Sequence, residues 1–191
     1  MAFIGKVPTP VPLTSADIQD GTIQTTDLAS GVLPTNTPSF AVLVGSTQVA
    51  SANSFNVVDF DTVSFDSESQ FNTTNNYYQI TETGKYLVQI QIRATHDTNG
   101  QGYFGGALYK DTSSSFGSES IVAYTRMFTA YGAQTYNPEF IHTISDIISF
   151  TNGDYLRVKY YNGSSSGRNI SATTASIPRC TSWSMMKVVG A

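Results

Sequence analysis

The sequence predicts an all-β sandwich preceded by an extended segment, and three observations carry that prediction. Aromatic residues make up 12% of the 191 residues and Ser with Thr about a quarter, while charged residues reach only 13%. That mix suits pleated, half-buried strands better than helices. From Phe40 onward, apolar runs are short, alternate with period two and are punctuated by Asn, Asp, Gly and Ser clusters. Before Phe40 lie five of the seven prolines: Pro8, Pro10, Pro12, Pro34 and Pro38. Proline removes backbone donors and favours extended chain.

Residues 1–39 read as an arm. Within it Ala16-Asp17-Ile18-Gln19-Asp20-Gly21-Thr22-Ile23 is echoed ten residues later by Thr26-Asp27-Leu28-Ala29-Ser30-Gly31-Val32-Leu33. Two such units cannot bury their aliphatic residues alone, so they call for a neighbour, for which a second copy of the chain suffices. The segment Thr9-Pro10-Val11-Pro12 reads as extended peptide that becomes ordered by lying on something else.

Residues 40–191 read as the core domain. Phe40–Val44 is a first strand, and Asn56–Phe65 alternates as one strand with Val58 and Phe60 on one face. Tyr77–Ile80 is a short strand before the Thr83-Gly84 turn. Lys85–Ala94 carries the strongest pattern: Tyr86, Val88, Ile90 and Ile92 on a core face, Leu87, Gln89, Gln91 and Arg93 on the other. Further strands follow at Gly102–Lys110, Ser120–Thr129, Phe140–Phe150, Tyr155–Tyr161 and Trp183–Val189. The Gly100–Gly106 stretch lacks the strand-to-helix context of a nucleotide fingerprint and reads as a strand with small residues at a crowded place. For Leu87, Gln89 and Gln91 two readings stand: a solvated face, or an oligomer axis where amides bond to their symmetry mates.

The composition argues against several function classes. A net charge of −4 with no Lys/Arg run gives no electrostatic reason to bind nucleic acid or an anionic membrane. No stretch approaches the length of a membrane span, so no membrane insertion is expected. The lone Cys180 excludes an internal disulfide framework. The N-terminus lacks an apolar run of signal-peptide length, which points to assembly in a cytoplasm. The glycosylation-type triplets at Asn72, Asn162 and Asn169 read as chance matches in a Ser/Thr-rich chain.

Catalytic chemistry finds little to work with. The two histidines are His96, in a polar turn, and His142, in an apolar strand. Asp146 shares a face with His142 but stands about 13 Å along the strand, beyond hydrogen-bond reach. A paired-carboxylate hydrolase would draw on Glu68, Glu82, Glu119 and Glu139, none in a motif. The best metal candidates are Asp59, Asp61 and Asp66, for which a solvated strand face is the competing reading. No cofactor is expected, and the chain does not read as an enzyme. Tyr-rich loops offer generic binding surface, with Tyr131, Tyr136, Tyr160 and Tyr161 as candidate glycan contacts.

The ordered pattern resembles the C1q/TNF-like jelly roll, a ten-stranded sandwich that packs as a compact trimer. The resemblance rests on Phe40-Ala41-Val42, Val57–Phe65, Ile80–Val88 with its Gly84-Lys85-Tyr86 turn, Ala107–Asp111, Ile147–Val158 with its Gly153-Asp154 motif, and Trp183–Gly190. It departs at Trp183 and Met185-Met186, where the family has Phe-x-Gly. The resemblance implies a homotrimer, with Leu87, Gln89 and Gln91 on its axis. The phrases Ile18–Ile23 and Asp27–Val32, with the opening Met1–Gly5, resemble segments of bacteriophage fibre and virion proteins, notably those of cyanophages. That second resemblance implies a virion protein anchored to a capsid, neck or tail partner through Phe3, Ile4, Val7, Ile18, Ile23, Leu28 and Val32. The alternative reading is a receptor-binding module of a tail fibre that recognises host cell-surface glycan.

Overall fold

A computed structural model of the chain describes residues 38–95, 101–130, 139–172 and 180–188. The anchor positions Phe3, Ile4, Val7, Ile18, Ile23, Leu28 and Val32 lie outside the described residues, as do His96, Tyr131 and Tyr136.

The described chain is all strand and turn. In order the strands are β1 (Ser39–Leu43), β2 (Gln48–Ala50), β3 (Ser54–Val57), β4 (Thr62–Asp66), β5 (Phe71–Asn72), β6 (Tyr77–Gln79) and β7 (Gly84–Thr95). They continue with β8 (Gln101–Asp111), β9 (Ser120–Tyr124), β10 (Met127–Ala130), β11 (Glu139–Phe150), β12 (Tyr155–Asn162), β13 (Arg168–Ile170) and β14 (Ser182–Lys187). Two seven-stranded sheets result, with antiparallel pairing throughout.

The first sheet runs β11, β7, β14 together with β13, β1 together with β2, then β4. The second runs β9 and β10, β8, β12, β3 together with β6, then β5. Short strands thus share positions along one long neighbour, and five side-by-side positions per sheet recover the ten-stranded jelly roll that the sequence predicts.

The core lies between the sheets. Tyr86, Val88, Ile90 and Ile92 of β7 point into it, as their alternation predicts. Trp183 of β14 is fully buried and packs edge-on to Phe40, with ring centroids 4.9 Å apart. Phe40 stacks on Tyr78 of the opposite sheet at 4.1 Å. Phe60 and Phe71 close the same aromatic cluster against Trp183, each at 5.8 Å. Trp183 and Met185 therefore take the inward positions of the closing strand, and Met186 points out.

Of three long stretches read as single strands, one stays whole and two divide. Lys85–Ala94 forms one strand, extended by a residue at each end as β7. Asn56–Phe65 does not. It divides into β3 of the second sheet and β4 of the first, and Val58–Asp61 crosses between them. Val58 and Phe60 stay buried through the crossing, so the alternation survives although the strand does not. Ser120–Thr129 likewise breaks at Thr125 and Arg126 into β9 and β10.

The glycines of β8 sit where the sequence reading put small residues. A Cβ on Gly105 would lie 2.0 Å from the Thr125 carbonyl oxygen, because the β9–β10 link crosses the sheet face there. The Gly153-Asp154 motif is a turn device. Gly153 adopts φ +92°, and the buried Asp154 carboxylate accepts from the Thr151 amide at 2.8 Å and from Lys110 at 3.3 Å.

Candidate assembly face

The outward side of the first sheet is built from period-two alternation in three adjacent strands. β7 contributes Leu87, Gln89, Gln91 and Arg93, since the residues alternating with them, Tyr86, Val88, Ile90, Ile92 and Ala94, fill the core. On one side, β11 sets Ile147 opposite Leu87, Ser145 opposite Gln89, Thr143 opposite Gln91 and Ile141 opposite Arg93. On the other side, β14 sets Met186 opposite Leu87, Ser184 opposite Gln89 and Ser182 opposite Gln91. The result is a polar strip bordered by aliphatic side chains.

The strip is concave. Gln89, Gln91, Thr143, Ser145, Ser182 and Ser184 line a hollow of about 280 Å³. The short Ser and Thr side chains of β11 and β14 leave room on either side of the two amides. The border is apolar and open: Ile141 is 58% exposed and Ile147 56%, with Met186 exposed at one end. Val63 and Phe65 of β4 are also exposed. Gln91 donates to the Cys180 carbonyl at 3.1 Å, which fixes one end of the strip, while Gln89 is exposed. The structure therefore brings Leu87, Gln89 and Gln91 onto one outward row, as the strand period requires. It adds Ile141, Ile147, Ser182, Ser184 and Met186, which the sequence reading did not single out. Their signal was present as alternation within Phe140–Phe150 and Trp183–Val189, but it needed the register to place them beside β7.

At one end of the row Arg93 forms an ion pair with Glu139, and Ser171 donates to the same carboxylate at 2.8 Å. The side-chain contact with Glu139 is the main cause that raises the Arg93 pKa. Cys180 is buried, and burial pushes its thiol up, which describes an inert structural cysteine.

The remaining candidates separate. Asp59 and Asp61 lie on the crossing between β3 and β4, not on one strand face, and Asp66 ends β4. Asp59 accepts from Asn76 at 3.0 Å, Asp61 from the Gly45 amide at 2.5 Å, and Asp66 from the Phe71 amide at 2.7 Å. Each carboxylate is engaged in holding a turn. Burial, followed by the nearby Asp61, raises the Asp59 pKa. Among the described residues no three His, Cys, Asp or Glu side chains gather as a metal site.

Tyr160 points into the core and is fully buried, so it cannot touch a glycan in the folded chain. Alternation along β12 explains this, since Leu156, Val158 and Tyr160 face inward while Tyr161 faces out. His142 is also buried, 5.6 Å from the Tyr160 ring, and burial lowers its pKa to about 4. Glu119 pairs with Lys159, and Glu139 with Arg93, so these two are structural carboxylates. Asn162 is fully buried and donates to the Ala50 and Ser166 carbonyls, which removes it as a glycosylation acceptor.

No protein-family model matches the chain, and no curated protein matches it in sequence. Solved structures do match. The Eiger TNF structure from S. frugiperda is 13% identical with a TM-score of 0.61, covering 80% of this chain and 93% of that one. Murine APRIL at pH 5.0 is 13% identical with a TM-score of 0.55, covering 78% and 98%. The globular domain of zebrafish complement 1qA is 13% identical with a TM-score of 0.52, covering 79% and 97%. At this identity the likeness is one of fold: the chain is a C1q/TNF-like jelly roll.

Proposed function

We propose that the chain is a non-enzymatic assembly module whose jelly roll trimerises through the outward side of the first sheet. The observation that carries this reading is the polar strip of Gln89, Gln91, Thr143, Ser145, Ser182 and Ser184 bordered by exposed Ile141, Ile147 and Met186. Aliphatic side chains of this size each gain roughly 1.5–3 kcal/mol when fully buried. The amides and hydroxyls between them can pair with identical groups of symmetry mates, so burial need not strand them. A second feature points the same way. β11 is twelve residues long and, among the described residues, pairs only with β7. A long apolar edge strand left open invites unwanted pairing, and a partner subunit would cover it. The C1q/TNF-like fold supports a threefold arrangement, since domains of that family pack as compact trimers.

The larger role is a structural virion protein of a bacteriophage, assembled in the host cytoplasm. In this reading residues 1–39 grip a capsid, neck or tail protein, and the trimer projects as head decoration or short fibre. Its support is the ten-residue repeat within residues 16–33 and the resemblance of that segment to virion proteins.

Light scattering of the full chain tests the assembly reading: a mass of three chains is expected, and a monomer at micromolar concentration would overturn it. Immunogold labelling of purified particles tests the virion role separately. Label at a regular site on the particle is expected, and particles that never carry label would remove that role while leaving the trimer standing.

A further inference from the structure

The outward side of the second sheet carries a different surface, and it is aromatic. β12 contributes Tyr161, β3 sets Phe55 beside it, and β8 contributes Tyr103, with Phe128 of β10 opposite. Tyr124 of β9 stands opposite Ala107. Phe55 is 39% exposed, Tyr124 42%, Tyr103 46% and Phe128 52%. These rings form two neighbouring groups. Phe55 lies 4.9 Å from Tyr161 and 6.3 Å from Tyr124, and Tyr103 lies 5.0 Å from Phe128.

Between the groups is a shallow hollow of about 300 Å³, lined by Phe55, Tyr103, Tyr124, Arg126 and Tyr161. Its shape follows from sequence. Gly105 and Ala107 supply almost no side chain in the middle of β8, opposite Tyr161 and Lys159. The absent Gly105 side chain lets the Thr125–Arg126 link lie against the sheet. That link raises Arg126 beside the hollow, with its guanidinium carbon 4.1 Å from the Tyr103 ring centroid. Burial raises the Tyr124 pKa, and the nearby Arg126 charge opposes that rise.

Arg126 also differs from the four cations that hold a carboxylate partner. Lys159 is paired with Glu119, Lys110 with Asp154, Arg93 with Glu139 and Lys187 with Glu82. Among the described residues Arg126 has no carboxylate partner, only aromatic ones. A planar guanidinium fixed on an aromatic face and left without an anion is suited to a carboxylate brought from outside.

We propose that this hollow binds an acidic saccharide, with one pyranose ring lying against the Tyr103, Tyr124, Phe55 and Tyr161 rings and its carboxylate taken by Arg126. A pyranose has an apolar face of C–H groups and a rim of hydroxyls, so it needs rings for the face and donors for the rim. The hollow offers both, since three of its four rings carry hydroxyls. Its volume is at the small end for ligand sites, which suits one sugar ring rather than a large apolar ligand. Nucleic acid is disfavoured by the net charge of −4 and the single unpaired cation here. Burial against an aliphatic face of a second copy would leave the guanidinium and hydroxyls without partners. The inference does not depend on the trimer or the virion role.

The test uses the full chain on a printed array of uronic-acid-bearing, sialic-acid-bearing and neutral oligosaccharides, followed by calorimetric titration with the best-retained one. Retention of acidic saccharides over neutral ones is expected, weakening as salt is raised. Arg126→Ala and Tyr103→Ala should each weaken binding about tenfold or more, and Arg126→Lys by less, because charge survives but the planar fork does not. Circular dichroism and thermal midpoint check that each variant folds, and Arg126→Lys serves if Tyr103→Ala does not. The proposal is overturned by an array with nothing retained, or by binding that Arg126→Ala and Tyr103→Ala leave unchanged. It is equally overturned if those variants change the mass by light scattering, since the face would then be a self-contact. A monomer that binds acidic sugar through these residues would sink the assembly reading and leave this one intact.

Discussion

The outward side of the first sheet presents Ile141, Ile147 and Met186 around a Gln, Ser and Thr strip, whereas that of the second presents Phe55, Tyr103, Tyr124 and Phe128 around the Arg126 guanidinium. Both faces rest on the same antiparallel backbone and the same core. Their difference lies only in which residues occupy the out-facing positions of each strand. Aliphatic groups beside paired amides suit a surface that meets its own copies, because identical polar groups can satisfy one another. Aromatic groups beside an uncompensated cation suit a foreign ligand with an apolar face and an anionic rim. On the proposed reading, one sandwich separates assembly from recognition by sheet.

The largest effect should come from placing charge on the aliphatic border. Ile141→Asp with Ile147→Asp should convert a trimer to a monomer, a threefold fall in mass by light scattering, while retention on the acidic saccharide array persists. Loss of both properties together would erase the contrast between the faces.

Next is Gly105→Ala. The added methyl meets the Thr125 carbonyl, so either the sheet or the link must shift. A cost of about 1–3 kcal/mol in urea unfolding is expected, with weakened saccharide retention and an unchanged mass. Wild-type stability in this variant would mean that the link is not held against Gly105.

Protonation of His142 acts beneath both faces. Its folded pKa of about 4 lies below the unfolded value of 6.5. Between these values the unfolded chain binds a proton that the folded chain refuses. Stability should therefore fall as pH drops from 6.5 to about 4 and gain no further slope from this group below that. The contribution is of order 3 kcal/mol at most. His142→Leu should flatten this part of the pH profile in denaturant titrations, and an unchanged profile would place the acid sensitivity elsewhere.

The smallest effect concerns Gln91→Leu. It removes the bond to the Cys180 carbonyl while adding apolar area to the strip. A loss of about 1 kcal/mol is expected by thermal unfolding of the monomeric double variant, where assembly cannot mask it.

Much of the sandwich was legible in sequence, and the reasons are specific. β7 and β12 alternate without a break because both of their edges are paired along nearly their whole length while one face of each fills the core. Asn56–Phe65 misled because Val58 and Phe60 keep filling the core while the backbone changes sheet, and no glycine or proline marks the change. Thr125 and Arg126 break a strand equally silently, since the signal sits about twenty residues earlier in the chain, in Gly105 of β8. β2, β5 and β13 are two or three residues long, too short for any period to register. Among site residues, Leu87, Gln89 and Gln91 followed from alternation alone. Tyr160 failed because a loop reading was applied to what alternation places inside β12, and the Arg126 hollow escaped because its five residues come from four strands and one link.

The place of β14 has a consequence for how the chain is made. It sits between β7 and β1, pairing Trp183 with Ile90 on one side and with Val42 on the other. During synthesis β1 can pair with β4 early, and β7 with β11 once residue 150 has emerged. β13 bridges β7 only to β2, so β7 and β1 stay unjoined until residues 182–187 leave the ribosome and slide between them. Trp183 then closes the aromatic core in the same event. A nascent chain stalled before that point would hold an open seam, available to the strands of other nascent copies.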